Sequence, residues 1–199
     1  MDGNHEDFNI LYQFPIGEDG LRRIRPNIIH IPRGYRSLLT AGRTLAVLGG
    51  ANSIDIGNRI LGRSYWNEES ITEADLTGLG NVHADVMIGH DAPLHVPTLD
   101  TSLEATAHWW PHTGLAYAAA GRAMFHRGFL QVRPRIYLGG HYHLHIDELV
   151  DYAVGDEEFR TRIVILDQGG SATAFSQAIL NVRSLHLQFF TRDGRLLST

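Results

Sequence analysis

The sequence contains no cysteine among its 199 residues. Disulfide bonds, thiolate metal sites and cysteine nucleophiles are therefore all excluded. Any transition-metal site in this chain must be built from His, Asp, Glu and Asn side chains.

The sequence also lacks an excess of positive charge and any long apolar run. Its net charge of −5 argues against nucleic acid as an obligatory partner, although metal ions can supply positive charge to an acidic phosphohydrolase. No apolar run approaches the roughly 18 residues needed to span a bilayer, and the first residues do not resemble a signal peptide. We therefore expect a cytoplasmic protein without a membrane partner.

The composition is that of an ordinary globular protein, with 43% apolar and 20% charged residues. No internal repeat, low-complexity segment or linker divides the chain. We predict a single domain over residues 1–199.

Short apolar segments bounded by glycine predict an α/β fold. Residues 43–51, 84–93 and 133–145 each contain a buried strand that ends in glycine followed by polar residues. Open sheets place their ligands at such strand ends. The segment 113–128 is rich in alanine and predicts a helix, and Thr72 with Asp75 forms a capping box for another. Further strands are predicted over residues 161–169 and 178–197, the last with a tight turn at Asp193-Gly194.

Twelve histidines are the unusual positive feature of this sequence. His141, His143 and His145 alternate, so in an extended segment they would share one face and any two could bind a cation. A histidine-rich solvated strand edge is the alternative. His5 and His90 each lie in a further glycine-histidine corner.

Residues 3–6 (GNHE), 89–90 (GH) and 140–143 (GHYH) occur in an order that resembles the later motifs of the calcineurin-like metallophosphoesterases. The resemblance is closest to short bacterial and bacteriophage members, and it extends over residues 3–147. It implies a four-layer αββα sandwich with mixed sheets. The implied activity is hydrolysis of phosphomonoesters or phosphodiesters by a hydroxide that two metal ions activate. The substrate would be a small phosphoester or a nucleic acid. The resemblance does not distinguish among Mn, Fe, Zn, Ni and Mg as the metal ions.

The resemblance also assigns roles to individual residues. Asn4, His90 and His141 would bind the second metal, and His143 would bind the first. His5 would face the scissile phosphate and protonate the leaving oxygen.

The family's two earlier motifs, D-x-H and G-D-x-x-D, are absent from this sequence. They would supply the Asp and His ligands of the first metal and the carboxylate that bridges both ions. We expect that an N-terminal portion of about 60 residues is missing from the domain. The start is then an internal methionine of a longer protein, or a complementing chain in an oligomer supplies the missing half, or the chain is a relic without turnover. Asp2, Asp55 and Asp91 are candidates to replace the bridge, with hydrogen bonding to the site as the alternative.

Other residues have both a functional and a structural interpretation. Arg59 and Arg63 could clamp a phosphate or lie in a solvated loop. Trp66 is expected to pack, and so are Trp109 and Trp110, which leaves His112 as a candidate substrate contact. Four histidines without a partner motif are expected to be structural: His30, His83, His126 and His186.

Two functions from other classes compete with phosphoester hydrolysis. A β-rich protein with one metal would use His141, His143 and Asp147, but the alternation of strands and helices disfavours that fold. A catalytically inactive metallophosphoesterase-like interaction protein is the stronger alternative. Metal analysis and a Mn²⁺-dependent assay distinguish this interaction protein from a phosphoester hydrolase.

Overall fold

The computed structural model describes residues 1–171, 175–191 and 194–196, which form a mixed α/β fold. The strands in chain order are β1 (Arg22–Arg25), β2 (Ile28–His30), β3 (Arg36–Leu38), β4 (Thr44–Leu48), β5 (Val86–Gly89), β6 (Ile136–Gly139), β7 (Ile146–Val154), β8 (Glu157–Ile165), β9 (Ala178–Asn181) and β10 (His186–Phe189). The α-helices are α1 (Phe8–Leu11), α2 (Glu73–Leu79), α3 (Pro97–Thr106) and α4 (His112–Val132). Among these helices, none has the length and apolar character required to cross a membrane.

The central sheet has six strands in the order β3-β4-β5-β6-β8-β7. Strands β4, β5, β6 and β8 run parallel, while β3 and β7 pair antiparallel at the two edges. Parallel neighbours require crossover connections, and α2, α3 and α4 lie in those connections. The carboxyl ends of the parallel strands therefore meet at one edge of the sheet, where their loops can form a common site.

One face of the sheet is covered by helices. Alternate strand residues such as Leu48, Met87 and Ile163 are fully buried on this face. Helix α4 contributes Phe125 and Phe129, which are four residues apart and therefore lie on the same side of the helix.

The other face of the sheet is covered by a β-hairpin. The intervening strand residues, such as Val47 and Val164, pack against Leu187 and Phe189 of the two-stranded β9-β10 sheet. Both faces of the parallel strands are thus buried, which accounts for their nearly continuous apolar sequences.

The structure confirms the predicted α/β class and the three strands that end in glycine. It confirms the capping box, in which the Thr72 side chain accepts from the amide of Asp75 and the Asp75 side chain accepts from the amide of Thr72. The predicted strand at 161–169 is instead the end of β8, which pairs with β7 over nine residues each. Asp193 of the predicted tight turn lies outside the described residues.

Candidate metal centre and its cavity

Three separate segments bring polar side chains together at the carboxyl edge of the sheet. Asn4 comes from the N-terminal turn, His90 follows β5 directly, and His141 lies two residues beyond β6. Nε2 of His90 is 3.0 Å from Oδ1 of Asn4. The imidazole rings of His90 and His141 have centroids 5.0 Å apart. We call these three residues the histidine corner.

The turn at residues 3–6 is closed by its own glutamate and fixed to the sheet. Oε2 of Glu6 accepts a hydrogen bond from the amide of Gly3 at 2.7 Å, so Glu6 closes the turn around His5. The carbonyl of Asp2 accepts from the amide of Gly50, just beyond β4. A Cβ atom on Gly3 would lie 2.7 Å from Nε2 of His90, closer than real Cβ contacts. Only glycine therefore allows the imidazole to pack against this turn.

A buried hydrogen-bond relay orients the amide group of Asn4. Its Nδ2 donates to Oγ of Ser53 at 3.0 Å, and that hydroxyl donates to Oε2 of Glu69 at 2.8 Å. Glu69 is fully buried and also accepts from the amide of Ser53. Because the nitrogen of the amide is engaged by Ser53, its oxygen is directed to His90. Burial raises the pKa of Glu69, although the Ser53 hydrogen bonds oppose that shift.

The two imidazoles of the corner are held in their neutral form. Burial, with the nearby His141 and His5, lowers the pKa of His90 to about 3. Burial, with the nearby His143 and His5, lowers the pKa of His141 to about 4. Both rings are therefore uncharged at neutral pH and can offer a nitrogen lone pair to a cation.

The loop after β6 differs from the extended segment that the alternating histidines predict. His141 and His143 have left-handed backbones, with φ of 71° and 54°. Nδ1 of His145 lies 3.1 Å from the carbonyl oxygen of Ile165, and its ring packs against Phe189 on the hairpin side. The prediction that all three histidines share one face was therefore wrong, since His145 lies outside the corner. Left-handed backbone in non-glycine residues is uncommon and is concentrated at functional sites.

Arg59 lies beside His5, next to the histidine corner. Both residues line the cavity described below, and guanidinium nitrogens of Arg59 lie 3.3 Å from each ring nitrogen of His5. Nε of Arg59 donates to Oδ1 of Asp55 at 2.7 Å, which fixes the side chain. Arg59 thus lines the cavity, whereas Arg63 is exposed and does not line it.

The three candidate carboxylates are each engaged by other partners. Asp2 is buried and binds Arg33 and His30. Asp55 binds Arg59. Asp91 accepts from the hydroxyl of Tyr142, and burial raises its pKa to about 6. Each carboxylate therefore has the hydrogen-bonded role that was the alternative to a bridge between metal ions.

The corner opens into a cavity of about 1000 Å³. Asn4, His5, His90, His141 and His143 line it, together with a second set of residues from α3, α4 and their connection. The second set includes Trp109 and Trp110, which are 68% and 37% exposed. The prediction that these two tryptophans pack in the core was therefore wrong. His112, the predicted substrate contact, begins α4 and does not line the cavity.

Several other predictions for single residues agree with the structure. Trp66 is buried. His30, His83 and His126 have structural contacts, respectively with Asp2, with Glu157 and with the ring of Tyr152. These histidines are not part of the corner.

The corner has three donor groups that could hold one divalent cation. Ligand bonds of about 2.0–2.2 Å place neighbouring donor atoms roughly 3 Å apart, which is the separation of His90 Nε2 and Asn4 Oδ1. Imidazole nitrogen and amide oxygen are both established donors for divalent metals. Within the described ranges, no three His, Asp or Glu side chains are arranged to hold a metal ion, so a site here would need the amide oxygen of Asn4 as its third donor. His143 lies near His141 and lines the same cavity, and among the described residues no group of three His, Asp or Glu side chains surrounds it.

Ser53 and Glu69 are the site residues that sequence reasoning missed. Ser53 follows the Gly49-Gly50 end of β4, as polar residues follow the other strand ends, and this position was the available signal. No protein-family model matches the chain, and no curated protein matches its sequence.

Proposed function

We propose that this chain is a metal-dependent phosphoester hydrolase of the calcineurin-like type. The observation that carries the proposal is the meeting of Asn4, His90 and His141, which come from three strand-end segments far apart in sequence. The helix-covered sheet with a second, two-stranded sheet on its other face supports the finer proposal of an αββα sandwich.

In this proposal Asn4, His90 and His141 hold one divalent cation. A bound cation of this kind supplies Lewis-acid polarisation of a phosphoryl oxygen and compensates negative charge. The neutral imidazoles retain their donor nitrogens at neutral pH, and the Ser53–Glu69 relay keeps the amide oxygen of Asn4 directed into the site. His143 remains a proposed ligand of a second ion.

Two further residues of the cavity act on the substrate itself. The guanidinium of Arg59 donates to phosphoryl oxygens, for which its planar array of N–H groups is suited. His5 is exposed at the cavity and transfers a proton to the leaving oxygen. Arg59 also lies against the His5 ring, so it holds that ring in place.

Metal analysis combined with a hydrolysis assay tests this function. The chain is titrated with Mn²⁺ and Zn²⁺ by calorimetry and assayed on an activated aryl phosphodiester. We expect metal-dependent hydrolysis that is lost in His141→Ala and retained in His83→Ala, because His83 forms only an exposed ion pair with Glu157. Equal activity in both variants, or absence of metal binding, contradicts the proposal.

The second candidate function is a metallophosphoesterase-like interaction protein without turnover. It is favoured by the engagement of Asp2, Asp55 and Asp91 with other partners, which leaves the corner with neutral donors only. A divalent cation without an anionic ligand is poorly compensated. Metal binding without hydrolysis in the same experiment supports this alternative.

A further inference from the structure

The lining of the cavity beside the histidine corner has two chemically different parts. The polar part contains Asn4, His5, Arg59 and the two imidazoles of the corner. The apolar part, which we call the tryptophan wall, consists of Leu94, Leu103, Trp109, Trp110, Leu115 and Leu144. A volume of about 1000 Å³ is at the upper limit of small-molecule sites and far exceeds the needs of a phosphate group alone.

The two tryptophans are presented to this cavity by a constrained connection. Trp109 ends a short 3-10 helix, Ala107–Trp109, and the amide of Trp110 donates to the carbonyl of Ala107 at 3.1 Å. Pro111 then leads directly into α4. The indole groups are therefore held on a short segment between two helices.

Exposed indole rings at a cavity point to a ligand. A large aromatic side chain that stays exposed loses the favourable free energy of burial. Contiguous exposed apolar surface commonly marks a binding site. Trp109 remains 68% exposed, and its ring contact among the described side chains is with His108. The wall is thus still open to a flat partner.

The polar part of the lining specifies the other part of that ligand. The cation of Arg59 and the neutral donors of the corner favour an anion there. The charged side chains that α3 and α4 add to the lining are Glu104 and Arg122, and Arg122 is paired with Asp100. A planar ring on the ligand fits the wall, because flat aromatic groups stack on indole faces.

We infer that the substrate is a phosphoester whose esterified group is a planar aromatic or heteroaromatic ring, bound against Trp109 and Trp110 with its phosphate at the histidine corner. This inference rests on the proposed function for the position of the phosphate. An alkyl phosphate and free phosphate are the competing occupants.

Binding is the appropriate measurement, because aryl esters are also intrinsically faster to hydrolyse. Calorimetry with fixed Mn²⁺ compares 1-naphthyl phosphate, octyl phosphate and inorganic phosphate on the full chain. We expect 1-naphthyl phosphate to bind about tenfold or more tightly than either alternative. The double variant Trp109→Ala/Trp110→Ala should lose that advantage and keep its affinity for inorganic phosphate.

Leu149→Ala is the matched control, since Leu149 is an equally exposed apolar side chain (66%) on the edge strand β7, outside the cavity. It should retain the full preference for 1-naphthyl phosphate. Equal affinities for the three probes in the wild type overturn the inference, and so does an equal loss for all three in the double variant.

The failure of this inference and that of the proposed function are separable. If 1-naphthyl phosphate binds through the tryptophans and no ester is hydrolysed, the inference holds and the hydrolase proposal fails. If esters are hydrolysed in a metal-dependent way with no preference for the ring, the hydrolase proposal holds and the inference fails.

Discussion

Nε2 of His90 lies 3.0 Å from Oδ1 of Asn4, although 86 positions separate the two residues along the chain. This contact depends on two supports: Gly3, which leaves room for the imidazole, and Ser53, which turns the amide. Each support can be removed without touching a proposed metal donor.

Replacing Gly3 with alanine should displace the imidazole of His90. The added Cβ would lie 2.7 Å from Nε2, so the ring or the turn must move. We expect weaker Mn²⁺ binding and a free energy of unfolding lower by about 1–3 kcal/mol, as for other overpacked sites. Calorimetry and denaturant unfolding measure the two effects.

Gly78→Ala in α2 is the control, because a Cβ there meets nothing within 4 Å. Alanine in a helix should leave stability unchanged or raise it. Unchanged Mn²⁺ affinity in Gly3→Ala contradicts the role given to the turn.

Replacing Ser53 with alanine should break the relay to Asn4. The buried carboxylate of Glu69 would lose one of its donors, and the amide of Asn4 would be free to rotate. We expect a loss of about 1–3 kcal/mol in the free energy of unfolding. The affinity for a metal should fall roughly 10–100-fold, as when other groups that orient ligands are removed.

Ser37→Ala serves as the comparison, since that hydroxyl makes only a 3.4 Å contact with the neighbouring carbonyl of Leu38. It should change stability by less than about 0.5 kcal/mol. If both serine variants bind Mn²⁺ as the wild type does, the relay does not orient the amide.

The stability of the chain should fall as the pH falls below 6.5, in part through His126. Burial, with His95 and Arg122 nearby, lowers its pKa from 6.5 to about 4. Between these two values the unfolded chain binds a proton that the folded chain excludes, so acid favours unfolding in that range. Asp91 has the opposite effect on stability, because burial raises its pKa to about 6. Between about pH 4 and 6 the folded chain therefore holds a proton that the unfolded chain has lost, and acid favours folding through this group.

In His126→Phe the loss of stability between pH 7 and pH 5 should therefore be smaller than in the wild type. Among the described residues Nδ1 of His126 has no hydrogen-bond partner, so the apolar ring removes no such bond. Denaturant unfolding at the two pH values measures the difference, with His108→Phe in the exposed 3-10 helix as control. An unchanged pH dependence would rule out a titrating role for His126.

Arg33→Met should strongly destabilise the fold. Nε of Arg33 donates to the buried carboxylate of Asp2 at 2.7 Å. Burial opposes ionisation of Asp2, but the hydrogen bond from His30 and the charge of Arg33 outweigh it and lower the pKa of Asp2. Removing one partner of a buried ion pair costs about 3–5 kcal/mol. Arg23→Met, at the exposed pair with Asp19, should have little effect in the same unfolding experiment.

The sequence predicted the strand ends well because they depend on local patterns. A buried apolar run followed by glycine and polar residues defines β4, β5 and β6, and the capping box of α2 is read from Thr72 and Asp75. Parallel pairing then brings the residues after those strands to one edge. The closeness of His90 and His141 followed from this.

The features of the site that the sequence did not predict depend on backbone conformation and long-range contacts, which no short sequence pattern encodes. The left-handed residues His141 and His143 turn the chain, so alternation along the sequence does not become alternation across a strand. The exposure of Trp109 and Trp110 depends on how the connection between α3 and α4 lies over the cavity. Ser53 and Glu69 are hydrogen-bonded across a loop, and no local sequence pattern at either residue indicates a partner 16 positions away.

Arg33 has a consequence for motion as well as for stability. Its guanidinium donates to Asp2 on one side and to the carbonyls of Glu68 and Ser70 on the other, so it links the residue before the GNHE turn to the segment that carries Glu69. A fluctuation that frees one of these segments removes anchors of the other. We therefore expect local opening of the site to be a single cooperative event, in which amide protons of both segments exchange with solvent together.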